Sequence, residues 1–461
     1  MTQNIQTEYE KLFPAAKAAG QEHLFRFWNE LTDAQKQNLL NQVRELDFAR
    51  LATLVRECVV KASPFELPKS IEPAPFFPAE PKDWQQGREY ERAWKIGEDV
   101  LRAGRVCMFT VAGGTGTRLG FDGPKGIYPI GPVTNKPLFA FFAEYLLHCQ
   151  RRYNPNLRWY IMTSDTNHEA TVKFFKDNQY FGIRPELVNF FQQGMMPAFA
   201  KDGRGLLDRK DGLSLSPDGH GGSLRTMRKS GALAEMNRLG IDYISYFQVD
   251  NPLVRCLDPR FIGLHVETNS EMSSKSLAKA DDLKRVGNFV IGDGRLMVIE
   301  YSDLPESLAR AKNPDGTRKF DAGSIAIHIL SRSFVERITE GDLKLPYHRA
   351  VKKVPYVDEK GQSVKPNEPN AVKLEQFVFD AIPLAKNAMV LQTKREEEFS
   401  PVKNAEGVDS VVTCRRDFVA RAARWLERAG IRVEHDVQGR PVGAVEISPL
   451  RAIFPEDLES R

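Results

Sequence analysis

The chain has 461 residues, of which 41% are hydrophobic and 27% are charged, and its formal net charge is +4. This length exceeds what one ordinary hydrophobic core accommodates, so we expect two or three domains. The basic residues are spread along the chain without forming a run. That distribution gives no support for nucleic-acid binding and is compatible with a phosphorylated small molecule as ligand.

The five cysteines are odd in number, widely separated and without CxxC spacing, which argues against a disulfide framework or a zinc site. The first thirteen residues lack the basic start and the apolar centre of a signal peptide. The most apolar run, residues 137–147, is short and is interrupted by Glu144. We therefore expect a cytoplasmic protein without a membrane span.

Helical patterns dominate the first part of the chain. From about residue 7 to residue 62, apolar residues recur at helical spacing, and Thr32 with Gln35 forms a capping box. Residues 63–81 are too rich in proline for a regular element, so they predict an extended linker that is docked by its phenylalanines. Residues 1–97 are interpreted as a helical N-terminal region containing this linker.

Strand-like and helix-like segments alternate between residues 85 and 250. The predicted strands are 106–112, 158–164, 187–194 and 243–250, and the predicted helices are 85–103, 137–153, 168–178 and 230–239. Apolar strands separated by helices pair in parallel with helices on both faces, and such sheets bind ligands at the carboxyl ends of their strands. We expect a Rossmann-like α/β domain at 98–395 with a mixed, mostly parallel sheet, and a small C-terminal α+β domain at 396–461.

A glycine-rich turn at residues 111–132 follows the first of these strands. Its glycines, Gly113 and Gly114 among them, can expose backbone N–H groups, while Arg118 and Lys125 supply positive charge. Neither the P-loop pattern nor the GxGxxG dinucleotide pattern fits this spacing. An ordinary glycine-rich turn is the alternative, but two cations inside the turn favour a triphosphate ligand.

Asp250 ends the predicted strand 243–250. A carboxylate at the edge of a sheet can hold Mg²⁺ between phosphate oxygens. An aspartate that only caps the next turn is the alternative. Together with a phosphate loop after the first strand, the pattern favours metal binding.

Three further places carry weaker signals. Residues 214–222 form a second glycine-rich turn, in which His220 is either a hydrogen-bond partner of a ligand or an exposed turn residue. Glu300 and Tyr301 follow an apolar strand and are of the kind that bind sugar hydroxyls, although an ordinary strand end is favoured locally. Lys403 lies in a charged loop, and such loops are usually solvated.

Taken together, these segments resemble the UDP-sugar pyrophosphorylase family, and most closely its eukaryotic-type UDP-N-acetylglucosamine pyrophosphorylases. The resemblance extends over nearly the whole chain after the linker. The matching pieces are AGGTGTRLG, PKGIYPIGP, QQGMMPA, DGHGG, FQVDNPLVRCLDPRFIG, VIEYSDL, FDAGSIAIH and REEEFSPVKNAEG. Several of these pieces are long and idiosyncratic, which argues against chance agreement.

The resemblance implies a GT-A-like nucleotidyltransferase domain that converts UTP and an N-acetylhexosamine 1-phosphate into a UDP-N-acetylhexosamine and pyrophosphate. It implies Mg²⁺ as cofactor, these small molecules as partners without nucleic acid or membrane, and a monomer or weak homo-oligomer. A UDP-glucose or broad-specificity UDP-sugar pyrophosphorylase is the alternative within the class. A nucleotide-sugar-binding protein without turnover is the alternative outside it, and the missing GxGxxG disfavours a dinucleotide oxidoreductase.

The resemblance also implies residue roles. Arg118, Lys125 and Lys403 would act on the phosphates and Asp250 would hold Mg²⁺. The uridine half of the UDP-sugar would be bound by Gly113, Gly114, Gln193, Gly219 and Asp250. Its sugar half would be bound by His220, Gly287, Glu300, Tyr301 and Asp321.

Two positions depart from the N-acetylglucosamine enzymes. The chain has Gly219-His220-Gly221-Gly222 where those enzymes usually carry GNGG, and the GHG turn is more like the UDP-glucose and broad-specificity enzymes. It has Asp321-Ala322-Gly323-Ser324 where they usually carry NAGN. Both positions belong to the expected sugar half, so the choice of sugar stays open while the uridylyl-transfer residues are unaffected.

Overall fold

The structure is a computed structural model that describes residues 2–61, 66–341 and 343–459, except for the side chains of residues 2 and 3. The chain divides into two compact units. The smaller unit consists of Met1–Glu66, Gly194–Gly222 and Leu345–Phe377, and the larger unit consists of Leu67–Gln193, Ser223–Lys344 and Val378–Arg461.

The α-helices of the described residues are α1 (Thr2–Ala18), α2 (Asp33–Arg44), α3 (Phe48–Leu54), α4 (Trp84–Arg102), α5 (Leu138–Arg152), α6 (His168–Asp177), α7 (Gly222–Lys229), α8 (Ala232–Arg238), α9 (Pro259–Glu267), α10 (Glu306–Ala309), α11 (Arg332–Ile338), α12 (Arg395–Glu398), α13 (Val411–Arg428) and α14 (Glu456–Glu459). The strands are β1 (Ile71–Pro73), β2 (Val106–Val111), β3 (Trp159–Thr163), β4 (Val188–Gln192), β5 (Met195–Pro197), β6 (Phe199–Ala200), β7 (Leu207–Arg209), β8 (Gly212–Leu213), β9 (Leu215–Pro217), β10 (Tyr243–Gln248), β11 (Met272–Ala278), β12 (Asn288–Gly292), β13 (Arg295–Ile299), β14 (Ala322–Ser331), β15 (His348–Lys352), β16 (Tyr356–Val357), β17 (Ser363–Val364), β18 (Ala371–Glu375) and β19 (Ala388–Thr393).

A single mixed sheet forms the centre of the larger unit. Strands β10, β2, β3 and β4 lie side by side and run in parallel. On the other side of β10, β14 is antiparallel, and it pairs in turn with β11 and β12, which are antiparallel to it. Strand β19 pairs in parallel with β11, while β1 and β13 flank β12. The predicted α/β class with a mixed sheet is confirmed, and the antiparallel part comes from the strands after residue 251.

The parallel strands are apolar because helices cover them. All residues of β3 are buried, and the indole N–H of Trp159 finds its partner in the hydroxyl of Thr110 at 2.8 Å. Phe142 of α5 and Phe175 of α6 pack against Trp159 with ring centroids 6.3 Å and 5.4 Å apart. Burying such side chains is the main favourable term in folding, each contributing roughly 1.5–3 kcal/mol. The predicted strands and helices between residues 106 and 250 therefore form as expected from their apolar pattern.

The unit boundaries differ from the predicted domains 1–97, 98–395 and 396–461. Helix α4 belongs to the larger unit because it packs closely on α9: a Cβ on Gly97 would lie 1.8 Å from the carbonyl oxygen of Pro259. Helix α13 also belongs there, since Phe418 packs on Phe141 with ring centroids 4.8 Å apart. Residues 394–459, all described, contain helices and no strand, so the short strands predicted in the C-terminal segment do not form.

The smaller unit joins the N-terminal helices to two later pieces of chain. The predicted capping box is present at the start of α2, where the Thr32 hydroxyl accepts the N–H of Gln35 at 3.4 Å. Leu39 and Leu40 of α2 share one core with Val372 of β18. The predicted linker is only partly irregular. The part of it that belongs to the larger unit contains β1, which pairs there with β12. Residues 62–65 of the linker lie outside the described residues.

Candidate active site

Most of the predicted site residues of the larger unit lie along one edge of its sheet. The glycine loop follows β2, Gln193 follows β4, and Asp250 lies two residues after the end of β10. Since β11 and β10 are both antiparallel to β14, the carboxyl end of β11 and the start of β14 lie at the same edge. Asp321 immediately precedes β14. The fold therefore places it at the same edge of the sheet as the predicted phosphate residues.

Backbone hydrogen bonds hold the glycine loop in shape. The N–H of Lys125 donates to the carbonyl of Gly114 at 3.1 Å. The side-chain amide of Asn167 donates to the carbonyls of Ala112 at 2.9 Å and Gly114 at 3.2 Å. A Cβ on Gly113 would lie 2.6 Å from Oε1 of Gln193, so this glycine permits contact with the Gln193 side chain. The loop thus brings Gly113, Gly114 and Gln193 together, as predicted.

Three charged groups, Asp250, Lys403 and Arg118, act on Lys125 at this edge. Burial lowers the pKa of Lys125; Asp250 opposes that shift, and the positive charges of Lys403 and Arg118 add to it. Among the described residues, neither the three cations nor Asp250 has an ion-pair or hydrogen-bond partner for its side chain. Three positive charges beside one negative charge leave a net positive field, which attracts a polyanion such as a nucleotide triphosphate.

Lys403 reaches this group although it lies far along the sequence. The N–H of Val402 donates to the carbonyl of Asp250 at 2.8 Å, and the N–H of Lys403 donates to the carbonyl of Asp409 at 2.7 Å. The Asn251 side chain accepts the N–H of Ser400 at 3.1 Å. The charged loop that carries Lys403 is therefore docked at its backbone on the end of β10, while the Lys403 side chain is exposed.

Two of the predicted sugar residues are in contact. Gly287 precedes β12 and Glu300 follows β13, and the antiparallel register pairs Asn288 with Ile299. A Cβ on Gly287 would lie 2.6 Å from Val298 and 3.0 Å from Oε1 of Glu300. Gly287 thus allows the backbone before β12 to approach Val298 and the Glu300 carboxylate closely. The neighbouring Tyr301 is 47% exposed.

The Asp321 carboxylate is engaged by the protein itself. Oδ1 accepts the backbone N–H of Lys279 at 3.0 Å and lies 3.5 Å from the guanidinium of Arg318. Burial lowers the pKa of the Lys279 ammonium, and Asp321 opposes that shift. These contacts hold Oδ1 of Asp321 at the turn before β14.

Gly219 and His220 lie in the smaller unit. Gly219 has a φ of +86°, and a Cβ there would lie 2.4 Å from the carbonyl oxygen of Gln376. The His220 ring stacks on Phe377, which stacks on His348, with centroid distances of 5.2 Å and 4.2 Å. Burial, with His348, lowers the pKa of His220 to about 4, so the ring is neutral at pH 7. The interpretation of His220 as an exposed turn residue is wrong because the ring packs in this stack.

Sequence reasoning missed the side chains that hold the site together. Asn167 and Asn251 bind backbone carbonyls of the loop and of the Lys403 segment, and Lys279 lies buried beside Asp321. Their only signal in the sequence is a position soon after a strand, at the edge where ligands bind in such sheets.

The residues present fit a magnesium ion that is shared with a nucleotide. No group of three or more His, Cys, Asp or Glu side chains suited to a metal occurs in the described part of the chain. Mg²⁺ at phosphate sites is usually bound through one or two carboxylates together with substrate phosphates and water. Asp250, whose carboxylate has no partner among the described residues, supplies the one carboxylate that such an arrangement needs.

An α/β sheet with a glycine loop after its first parallel strand, cations around that loop and a carboxylate after the neighbouring strand defines a nucleotidyltransferase-like protein. Residues 79–432 match the UTP–glucose-1-phosphate uridylyltransferase family, and the chain belongs to this family. This finding confirms the family expected from the sequence.

Named relatives match over nearly the whole chain. The chain is 38% identical to UDP-N-acetylhexosamine pyrophosphorylase-like protein 1 of Xenopus tropicalis, covering 96% of this chain and 92% of that protein. It is 36% identical to UDP-N-acetylglucosamine pyrophosphorylase of Saccharomyces cerevisiae, with 95% and 94% covered. The structure of the Trypanosoma brucei uridine diphosphate N-acetylglucosamine pyrophosphorylase with inhibitor is similar, with a TM-score of 0.84, 26% identity, and 98% and 94% of the chains covered.

A helix that crosses a bilayer must be both long and apolar. Among the helices in the described residues, none combines the length and the apolar composition that a membrane span needs.

Proposed function

We propose that the protein is a uridylyltransferase that forms a UDP-N-acetylhexosamine and pyrophosphate from UTP and an N-acetylhexosamine 1-phosphate. The observation that carries the proposal is the charge group at the carboxyl edge of the sheet, where Lys403, Arg118 and Asp250 act on Lys125 and the N–H of Val402 donates to the carbonyl of Asp250. The names of the Xenopus and yeast relatives support the acetamido sugar as the substrate class.

The chemistry follows from charge and alignment. An oxygen of the sugar 1-phosphate attacks the α-phosphorus of UTP in line, and pyrophosphate leaves. Two anions must approach each other and negative charge builds on the leaving group, so fixed cations lower the barrier. Lys125 and Arg118 would neutralise the phosphates held at the glycine loop, and Lys403 would act on the α-phosphate.

Asp250 would hold Mg²⁺, which supplies further charge neutralisation at the phosphates when it is bound. The exposed N–H groups around Gly113 and Gly114 would bind UTP together with the Gln193 side chain, which the loop glycine Gly113 admits. Glu300, beside Gly287, would accept hydrogen bonds from sugar hydroxyls. We also propose that the protein acts in the cytoplasm as a monomer or weak homo-oligomer.

A UDP-glucose or broad-specificity enzyme is the second candidate. Two observations favour it: the neutral His220 stands in a GHG turn, and Asp321 is bound by Lys279 and Arg318 instead of presenting a free amide. A binding protein without turnover is disfavoured because the relatives that match over nearly the whole chain are named as pyrophosphorylases or as pyrophosphorylase-like.

The test is pyrophosphate release by the full chain with UTP, Mg²⁺ and one of four sugar 1-phosphates: N-acetylglucosamine, N-acetylgalactosamine, glucose or galactose. We expect release with at least one acetamido sugar, with a higher kcat/KM than for the two hydroxyl sugars. A higher kcat/KM for glucose 1-phosphate would favour the second candidate. No release with any of the four would contradict the enzymatic function.

A further inference from the structure

A buried ion cluster adjoins the segment that carries Lys403. Lys275 of β11 is fully buried, and its Nζ lies 2.6 Å from Oδ2 of Asp258 and 2.5 Å from Oε1 of Glu398. The Glu398 side chain is 1% exposed. Removing such charges from water is costly, and an apolar trio of similar volume is often as stable. A gain in folding stability therefore does not by itself explain why these three charged side chains are buried together.

Every oxygen of the Glu398 carboxylate has a partner. Oε1 also accepts the backbone N–H of Arg255 at 3.3 Å, and Oε2 accepts the hydroxyl of Thr393. Burial would raise the pKa of Asp258, but Lys275 and Arg255 outweigh it and hold that pKa at about 2. The cluster joins β11, the start of α9 and the end of α12, and it fixes the direction in which the chain leaves Glu398.

From Glu398 onward the chain is tied to the end of β10. The carbonyl of Glu398 accepts the Asn251 side-chain amide at 2.7 Å. The N–H of Ser400 donates to Oδ1 of Asn251 at 3.1 Å, and the N–H of Val402 donates to the carbonyl of Asp250 at 2.8 Å. Lys403 is the first exposed side chain after this docked stretch.

We propose that Glu398 is a positioning residue for uridylyl transfer, because it anchors the docked stretch that brings Lys403 beside Asp250; this inference rests on the proposed function. Glu398 is buried in the ion cluster and acts on the reaction only through that stretch. A docked backbone has already lost its conformational freedom, so less entropy is lost when the Lys403 ammonium meets a phosphate.

The test is Glu398→Gln, which keeps the shape of the side chain and removes its charge, with Glu396→Gln as matched control. Glu396 lies on the same short helix, but its side chain is exposed. We expect Glu398→Gln to lower kcat about tenfold, since small displacements of a reacting group are costly, with KM for the sugar 1-phosphate nearly unchanged. Glu396→Gln should match the wild type.

A double-mutant cycle separates positioning from a general loss of structure. If Glu398 acts through Lys403, Glu398→Gln should lower kcat less than about twofold in a Lys403→Ala background. An equal fold loss in both backgrounds, or no loss in the wild-type background, overturns the proposal. If Glu398→Gln does not fold, Thr393→Val replaces it, because this variant removes the hydrogen bond to Oε2 of Glu398 and no charge. Its effect on kcat is then compared in the wild-type and Lys403→Ala backgrounds by the same criteria.

Failure of the proposed function would appear differently, as a folded wild type without turnover. Amide hydrogen exchange then tests whether Glu398 holds the stretch in place. The N–H groups of Ser400 and Val402 are hydrogen-bonded to Asn251 and Asp250 only while the stretch is docked. Faster exchange at these two amides in Glu398→Gln than in Glu396→Gln supports the positioning role. Equal exchange in the two variants overturns it.

Discussion

The proposed nucleotide end of the sheet edge, around Lys125, and its proposed sugar end, around Asp321, treat charge differently. At the nucleotide end, the side chains of Lys125, Arg118 and Lys403 have no hydrogen-bond or ion-pair partner among the described residues. At the sugar end, Asp321 is already bound by Lys279 and Arg318. Charge that the protein leaves unbalanced is available to a ligand, whereas paired charge stabilises a turn. We therefore relate the proposed reaction to the first end and the choice of sugar to the second.

The largest effect is expected from Lys125→Ala. The variant removes a partly buried cation at the loop, where charge builds in the transition state, so kcat for pyrophosphate release should fall by about 10²–10³-fold. The thermal midpoint should stay near that of the wild type, because the lysine side chain has no hydrogen-bond or ion-pair partner among the described residues.

Lys173→Ala is the matched control, since it removes an exposed lysine of α6 that forms an ion pair with Asp177. It should leave kcat unchanged. If Lys125→Ala retains more than a tenth of the wild-type kcat, the nucleotide end does not carry the reaction and the contrast between the two ends fails.

Gly113→Ala should give an intermediate effect. Its Cβ would lie 2.6 Å from Oε1 of Gln193, so the amide must move away from its place beside the loop. We expect KM for UTP to rise about tenfold, with a smaller change in kcat, because a displaced binding group weakens ground state and transition state together.

Gly87→Ala is the control for adding a methyl group at a glycine, since a Cβ on Gly87 would have no atom within 4 Å. The effect of Gly113→Ala should disappear in a Gln193→Ala background, where the collision is removed. A rise in KM that persists unchanged in that background would show that the contact is not the cause.

Asp321→Asn should give the smallest effect. Asparagine keeps the oxygen that accepts the Lys279 N–H and loses only the charge facing Arg318, a partly exposed pair of the kind worth about 1 kcal/mol or less. The ratio of kcat/KM for N-acetylglucosamine 1-phosphate to that for glucose 1-phosphate should change less than about fivefold. A shift above tenfold would show that Asp321 contacts the sugar directly.

The local elements could be read from the sequence because their signals are local. The capping box at Thr32 and Gln35 formed as predicted, and the alternation of apolar strands and helices after residue 106 gave the parallel part of the sheet. The family was also identified correctly from its motifs. The individual roles of the predicted site residues stay predictions.

The long-range arrangement was not predictable in the same way. The smaller unit is assembled from three separate stretches, and β6 pairs with β18 although some 170 residues separate Phe199 from Val372. Likewise, the carbonyls bound by Asn167 and Asn251 become neighbours only after folding. No periodicity or motif in a single sequence records such contacts.

The most direct test of the central claim is to follow the phosphorus atoms by ³¹P NMR with the full chain, UTP, Mg²⁺ and N-acetylglucosamine 1-phosphate. The cations at this edge of the sheet predict transfer to the sugar phosphate, so UDP-sugar and pyrophosphate resonances should appear in equal amounts and revert to UTP when pyrophosphate is added. Release of inorganic phosphate with UDP, or an unchanged spectrum, would contradict this account.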